Sequence, residues 1–162
     1  VARTIDSDRK HLTSVLRAAA AHRGASFVEI YQNCPIFNDG AFDTLKEPGD
    51  KEQRLIPLHH GKPIRFGPNN EFAILRGASG GLEVGPYDPD RVVIHDAGTE
   101  DPSYAFALSR LSTQDLSHTV TGIYRNVSRP TYDDQARAQV AAATRPADLG
   151  SLLAGSDTWT VG

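Results

Sequence analysis

The chain has 162 residues, 39% hydrophobic and 23% charged, which gives room for one domain with a moderate core. Its formal charge of −3 argues against nucleic acid as the main partner, because phosphate binding needs concentrated Lys and Arg. No apolar run approaches the roughly 20 residues that span a bilayer, so no membrane partner is expected.

The first residues, "VART", read as the tail of a strand and carry no hydrophobic signal core. With no methionine anywhere, they predict a piece of something longer. From Ser7 to Arg23, Leu12, Val15, Leu16, Ala19 and Ala20 fall at i, i+3, i+4, i+7 and i+8, the stripe of an amphipathic helix. Asp6 or Ser7 is the expected cap, and Gly24 the left-handed residue at its end. "SFVEIYQ" follows as a strand. Strand, helix, strand is the unit that builds a parallel sheet.

After Cys34 the chain turns polar. "CPIFNDGAFDTLKEPGDKEQR" predicts a long loop with one short helical turn. "RLIPLHHGKPIRFG" reads as two short strands around a Gly-Lys-Pro turn, and "EFAILR" and "GLEVG" as further short strands. "RVVIHD" is a compact apolar strand. "DPSYAFALSRL" is a helix with Pro102 in its first turn. "HTVTGIYRNV" is another strand, and residues 132–144 an alanine-rich helix. The tail from Arg145 holds Gly, Ser, a short apolar patch and Trp159.

"GASGG" matches the G-x-S-x-G nucleophile pattern at Ser79, and Asp96 and His118 follow in Ser–Asp–His order. That chemistry needs a strained strand-to-helix turn, yet "GLEVGPYDP" cannot supply the helix. A Gly-rich hairpin turn is the expectation at Ser79. His59 beside His60 and His95 beside Asp96 point to opposite faces if extended, so neither pair chelates one ion readily. "LHHGKP" reads as a polar hairpin turn.

Cys34 is the only cysteine, and a reducing cytoplasm is the simplest setting for it. A lone cysteine is most often a small buried hydrophobe. Cys34, however, ends a predicted parallel strand, where ligands gather in open α/β sheets. Pro35 stiffens the exit, and "QN" before and "FND" after are polar.

At this stretch the sequence resembles the thiamine diphosphate-binding (beta) subunit of 2-oxoacid:ferredoxin oxidoreductases, the 2-oxoglutarate type most closely. The resemblance is carried by "FVEIYQNCPIFNDGAF", "IPLHHGKPIRFG", "IHD" with "AFALSRL" after it, and "TGIYR". It extends to about Val127 and matches the C-terminal half of that subunit. It implies an α/β fold: the C-terminal part of a thiamine diphosphate-binding-type parallel sheet, followed by short strands and helices. Residues 1–145 would form that portion and residues 146–162 a C-terminal tail.

The implied activity is decarboxylation of a 2-oxoacid with thiamine diphosphate and Mg²⁺, electron transfer through a [4Fe–4S] cluster to ferredoxin, and release of an acyl-CoA. The implied partners are the missing N-terminal half, the alpha/gamma subunit and ferredoxin, with coenzyme A and the 2-oxoacid as substrates. In the resemblance Cys34 is the last of four cluster ligands, with Gln32, Asn33 and Asn38 around the cluster. The family's G-D-G diphosphate motif does not occur here; "NDG" at Asn38–Gly40 is a different motif. Nor can one cysteine hold a four-cysteine cluster. The chain alone is therefore expected to be inert. Two other readings compete: a serine hydrolase using Ser79, Asp96 and His118, and a structural or interaction module with an inert Cys34.

Overall fold

The computed structural model describes residues 1–144, 148–155, 159 and 161. Val1–Arg129 and Pro130–Gly162 are two compact units. In the first, β1 (Ala2–Ile5), α1 (Arg9–Ala21) and β2 (Val28–Tyr31) form the expected strand–helix–strand unit, with β1 and β2 parallel and Arg3 opposite Glu29. Asp8 caps α1, its Oδ1 accepting from His11 N at 2.9 Å, one and two positions after the expected caps. The apolar stripe is only partly covered: Val15 is buried while Leu16 stays exposed.

β3 (Leu55–Leu58) and β7 (Thr119–Ile123) complete a four-stranded sheet in the order β2-β1-β7-β3. β3 and β7 are parallel, but β1 and β7 run antiparallel. The sheet is thus mixed, where strand–helix–strand logic alone predicted parallel pairing throughout. Arg3 fastens one face of it. Its guanidinium bonds Glu29 Oε2 at 2.6 Å, Ser112 Oγ at 2.7 Å and Tyr124 OH at 3.0 Å, and lies over the rings of Tyr31 and Tyr124.

At Gly122 the central strand β7 takes φ +119°, open to glycine alone. A Cβ there would stand 2.8 Å from Leu58 O and 2.9 Å from Leu58 Cβ on the neighbouring strand.

A second, antiparallel sheet joins β4 (Arg65–Phe66), β5 (Phe72–Arg76) and β6 (Leu82–Pro86). "LHHGKP" does turn, with Lys62 N donating to His59 O at 3.0 Å and Gly61 at φ +74°, but the strands beside it enter different sheets. It is a crossover rather than a hairpin. "RVVIHD" is extended without a regular ladder: Val93 N donates to Ile74 O and Ile64 N to Val93 O, tying it on both sides. Its side chains alternate as a strand's do, with Val93 and His95 buried and Ile94 and Asp96 exposed. Ile56, Leu58, Ile64, Phe66, Ile74, Val93, Leu108 and Val120 form the core, covered by α3 (Pro102–Ser109).

The long polar loop after Cys34 holds a 3₁₀ turn (Asp43–Leu45) and the short α2 (Asp50–Arg54). The second unit contains α4 (Tyr132–Ala142), capped by Thr131 in a reciprocal box with Asp134, and α5 (Leu149–Ala154). The boundary expected between 145 and 146 falls outside the described residues. No described helix is long and apolar enough to cross a membrane.

Candidate functional site

Cys34 stands three residues past the carboxyl end of β2, an edge strand of the mixed sheet. Pro35 fixes φ and carries no N–H, so the chain must turn at once. The turn closes with Asn38 N donating to Cys34 O at 2.9 Å. The half-buried Cys34 sulfur lies beside the backbone N–H groups of Phe37, Ile36 and, with the smallest effect, Asn38. Hydrogen bonds to the thiolate favour the charged form, and these hold the Cys34 thiol below the ordinary cysteine range.

The loop is braced at its base. Asn33 Nδ2 donates to Asp39 Oδ1 at 2.9 Å, and Asn33 Oδ1 accepts from Gly40 N at 2.9 Å. Asn33 N donates to Asp6 Oδ2 at 3.2 Å, linking the loop to the end of β1. The rings of Tyr31 and Phe42, either side of the loop, stack at 4.7 Å and 18°. Among the expected surroundings of the thiolate, Asn33 is thus a brace, and Asn38 closes the turn through its backbone N–H to Cys34 O. Gln32 and Asn38 are exposed, and neither side chain makes a hydrogen bond among the described residues.

Sequence reasoning missed the amides of Ile36 and Phe37. The only trace of them was the Cys-Pro pair, which demands a turn without saying where its N–H groups aim. It also missed the apolar tip: Ile36 and Phe37 are 83% and 89% exposed, directly beside the sulfur.

The other candidates separate. Ser79 lies in the turn between β5 and β6, where Gly77 N donates to Gly81 O at 2.8 Å and Gly80 takes φ +85°. A strand, β6, follows it, so no nucleophile elbow exists. Asp96 accepts from Gly98 N at 2.8 Å in a cleft with Arg76 and Tyr104, whereas His118 lines another with Arg54 and Phe72. Ser79→Ala is accordingly expected to leave any activity of the parent enzyme within a few-fold of normal, as steady-state kinetics would show. Loss by several orders of magnitude, as for a nucleophile, would overturn this reading.

His95 is a core residue. It is 1% exposed, Nε2 donates to Ile123 O at 2.8 Å, Nδ1 meets Tyr104 OH at 3.1 Å, and burial pushes its imidazole below the ordinary range. His60 points outward to Asp96 Oδ1 at 3.5 Å and accepts from Ala97 N. Among the described residues no three His, Cys, Asp or Glu side chains converge as a metal site would require. Cys34 thus belongs to no such group among the described residues.

The chain is 56% identical, over 169 aligned positions, to the 2-oxoglutarate oxidoreductase subunit KorB of Mycobacterium tuberculosis. The alignment takes in 99% of this chain and 45% of that subunit, so the chain spans about half the length of the curated relative it matches. No family model matches the chain, and no solved structure does.

Proposed function

We propose, from a chain that corresponds along nearly its whole length to part of a 2-oxoglutarate oxidoreductase subunit, that it is the C-terminal half of such a beta subunit. Its part in the chemistry is to present Cys34 as one thiolate of a [4Fe–4S] cluster, the other three coming from the missing N-terminal half. The observation that carries this is the placement of Cys34 in a closed turn just past the carboxyl end of β2, where neighbouring backbone N–H groups favour its thiolate.

Such a donor set fits a cluster ligand. Amides stabilise the thiolate without adding a net charge, and hydrogen bonds to cluster sulfurs are one means of setting the potential. The Asn33–Asp39 and Asn33–Gly40 bonds hold the turn, and the Tyr31–Phe42 stack holds its base. The exposed Ile36 and Phe37 would exclude water from the sulfur once another surface covers them.

When bound, the cluster supplies one-electron transfer from a thiamine diphosphate- and Mg²⁺-dependent decarboxylation to ferredoxin. The assembled enzyme, cytoplasmic and containing an alpha/gamma subunit, would turn 2-oxoglutarate and coenzyme A into an acyl-CoA. The diphosphate site belongs to the other half, since no G-D-G motif occurs here.

Alkylation tests the assignment directly. In the isolated chain, iodoacetamide should modify Cys34 with a half-rate pH below the roughly 8.5 of a free thiol. In the anaerobically purified whole enzyme the same residue should be protected, and removal of iron with a chelator should restore labelling. Equal labelling with and without iron would count against a ligand role.

A further inference from the structure

A cleft of about 530 Å³ lies in the first unit, well away from Cys34 in the chain. It is bounded on one side by the start of α1 and on the other by α2 and the turn after β4. Ile5, Leu55, Pro57 and Phe66 give it an apolar lining. Lys10 and His11 reach it from α1, Lys51 from α2, His59 from the end of β3, and Arg65 from β4. Five basic side chains from four elements thus converge in a chain whose formal charge is −3.

The two carboxylates in the cleft are already engaged. Asp8 Oδ1 accepts from His11 N as the cap of α1, and Glu52 Oε2 accepts from Gly49 N at 2.8 Å while its other oxygen faces Lys51 at 3.7 Å. The Arg65 guanidinium is fixed by two bonds to Asn70 O and by stacking over Tyr87 at 3.8 Å. The side chains of Lys10 and His59, both exposed, make no hydrogen bond or ion pair among the described residues. His11 Nδ1 meets Thr4 Oγ1 at 2.8 Å, which leaves Nε2 as its unpartnered nitrogen among the described residues.

We propose that this cleft binds a nucleoside diphosphate-like ligand, its phosphates between Lys10, His11, Lys51 and His59 and its ring system against the apolar lining. The volume suits a ligand of that size. A lone phosphate would leave the apolar lining unused, and a purely apolar ligand would leave the cations unanswered.

Proton uptake should accompany binding. Burial disfavours a charged His11, Asp8 favours it, and the neighbouring His59 disfavours it further. Lys10, Lys51 and Arg65 also line the cleft, with Glu52 as its other carboxylate. An anion beside His11 would favour its charged form, so affinity should rise as pH falls. Nothing about Cys34 enters this site, so either proposal can fail alone.

The probe is ADP, followed through the histidine ring resonances of the chain by NMR at constant ionic strength. Saturable shifts at His11 and His59 are expected, with affinity weakening about tenfold from about pH 6 to about pH 8. The double variant Lys10→Gln/His59→Gln removes two exposed side chains that hold nothing in the fold. It should remain folded and weaken binding by at least about tenfold, the loss of one charged hydrogen bond. Pyrophosphate and adenosine should each bind more weakly than ADP. No saturation by about 10 mM ADP, an unaltered double variant, or pyrophosphate binding as tightly as ADP would each overturn the proposal.

Discussion

Cys34→Ala, introduced into the whole enzyme, should remove the iron–sulfur cluster and ferredoxin reduction while leaving the chain folded. Alanine takes away one of four thiolates, and a cluster held by three is labile or lost. The fold should tolerate the change, because the sulfur is half-exposed and the amides of Ile36, Phe37 and Asn38 can turn to water. Serine should retain a weakened cluster, since its oxygen is a harder ligand than sulfur. In the proposed function decarboxylation takes place on the thiamine, so a non-redox first step should survive in the alanine variant. A cysteine that merely filled space would behave otherwise, costing about 1 kcal/mol with full iron content. Iron analysis, visible absorbance and ferredoxin reduction on anaerobically purified protein separate these outcomes. Full iron with normal ferredoxin reduction would refute the ligand assignment.

Gly122→Ala should be the most destabilising glycine substitution in the chain. The new methyl would meet Leu58 O at 2.8 Å and Leu58 Cβ at 2.9 Å, atoms of a paired neighbouring strand that cannot swing aside. The backbone at φ +119° adds strain for any residue with a Cβ. Together these effects should cost about 3 kcal/mol or more, a fall in Tm on the order of 10 °C for a unit this size. Gly80→Ala is the control. Its φ is +85°, but nothing lies within 4 Å of the added Cβ, so only backbone strain of about 1 kcal/mol is expected. Equal losses of stability in thermal unfolding would show that the contact with Leu58 is not what demands glycine at 122.

Local pattern made some of this legible and hid the rest. The stripe through Leu12 and Val15 placed α1 within two residues at each end, and the extended runs on either side gave a parallel pair. The direction of β7 was not readable, because nothing within "HTVTGIYR" encodes its orientation to a strand at the other end of the unit. "RVVIHD" was read as a strand from its apolar run; it is extended, but its pairing stops at isolated bridges, Ile94 with Pro63 and Val92 with Leu75.

At the candidate site, the cysteine and its turn were visible in "QNCP". The hydrogen bonds that favour its thiolate come from the main chain and leave almost no mark on residue type. The cationic cleft was invisible for another reason: its basic residues lie at positions 10, 11, 51, 59 and 65, brought together only by folding.

The antiparallel pairing of β1 with β7 also bears on how the chain reaches its fold. Ala2 faces Ile123, close to the end of the first unit, although the two lie at opposite ends of its sequence. Closing so long a loop costs entropy before any contact rewards it, and topologies rich in such pairings fold slowly. β1 can pair with β2 early, but its other edge meets its native partner only when β7 has been made. Until then that edge lacks its native hydrogen bonds, and open edges are where strands of separate chains associate. The sheet is therefore completed by its last strand, and the nascent chain is most exposed to misassembly just before β7 arrives.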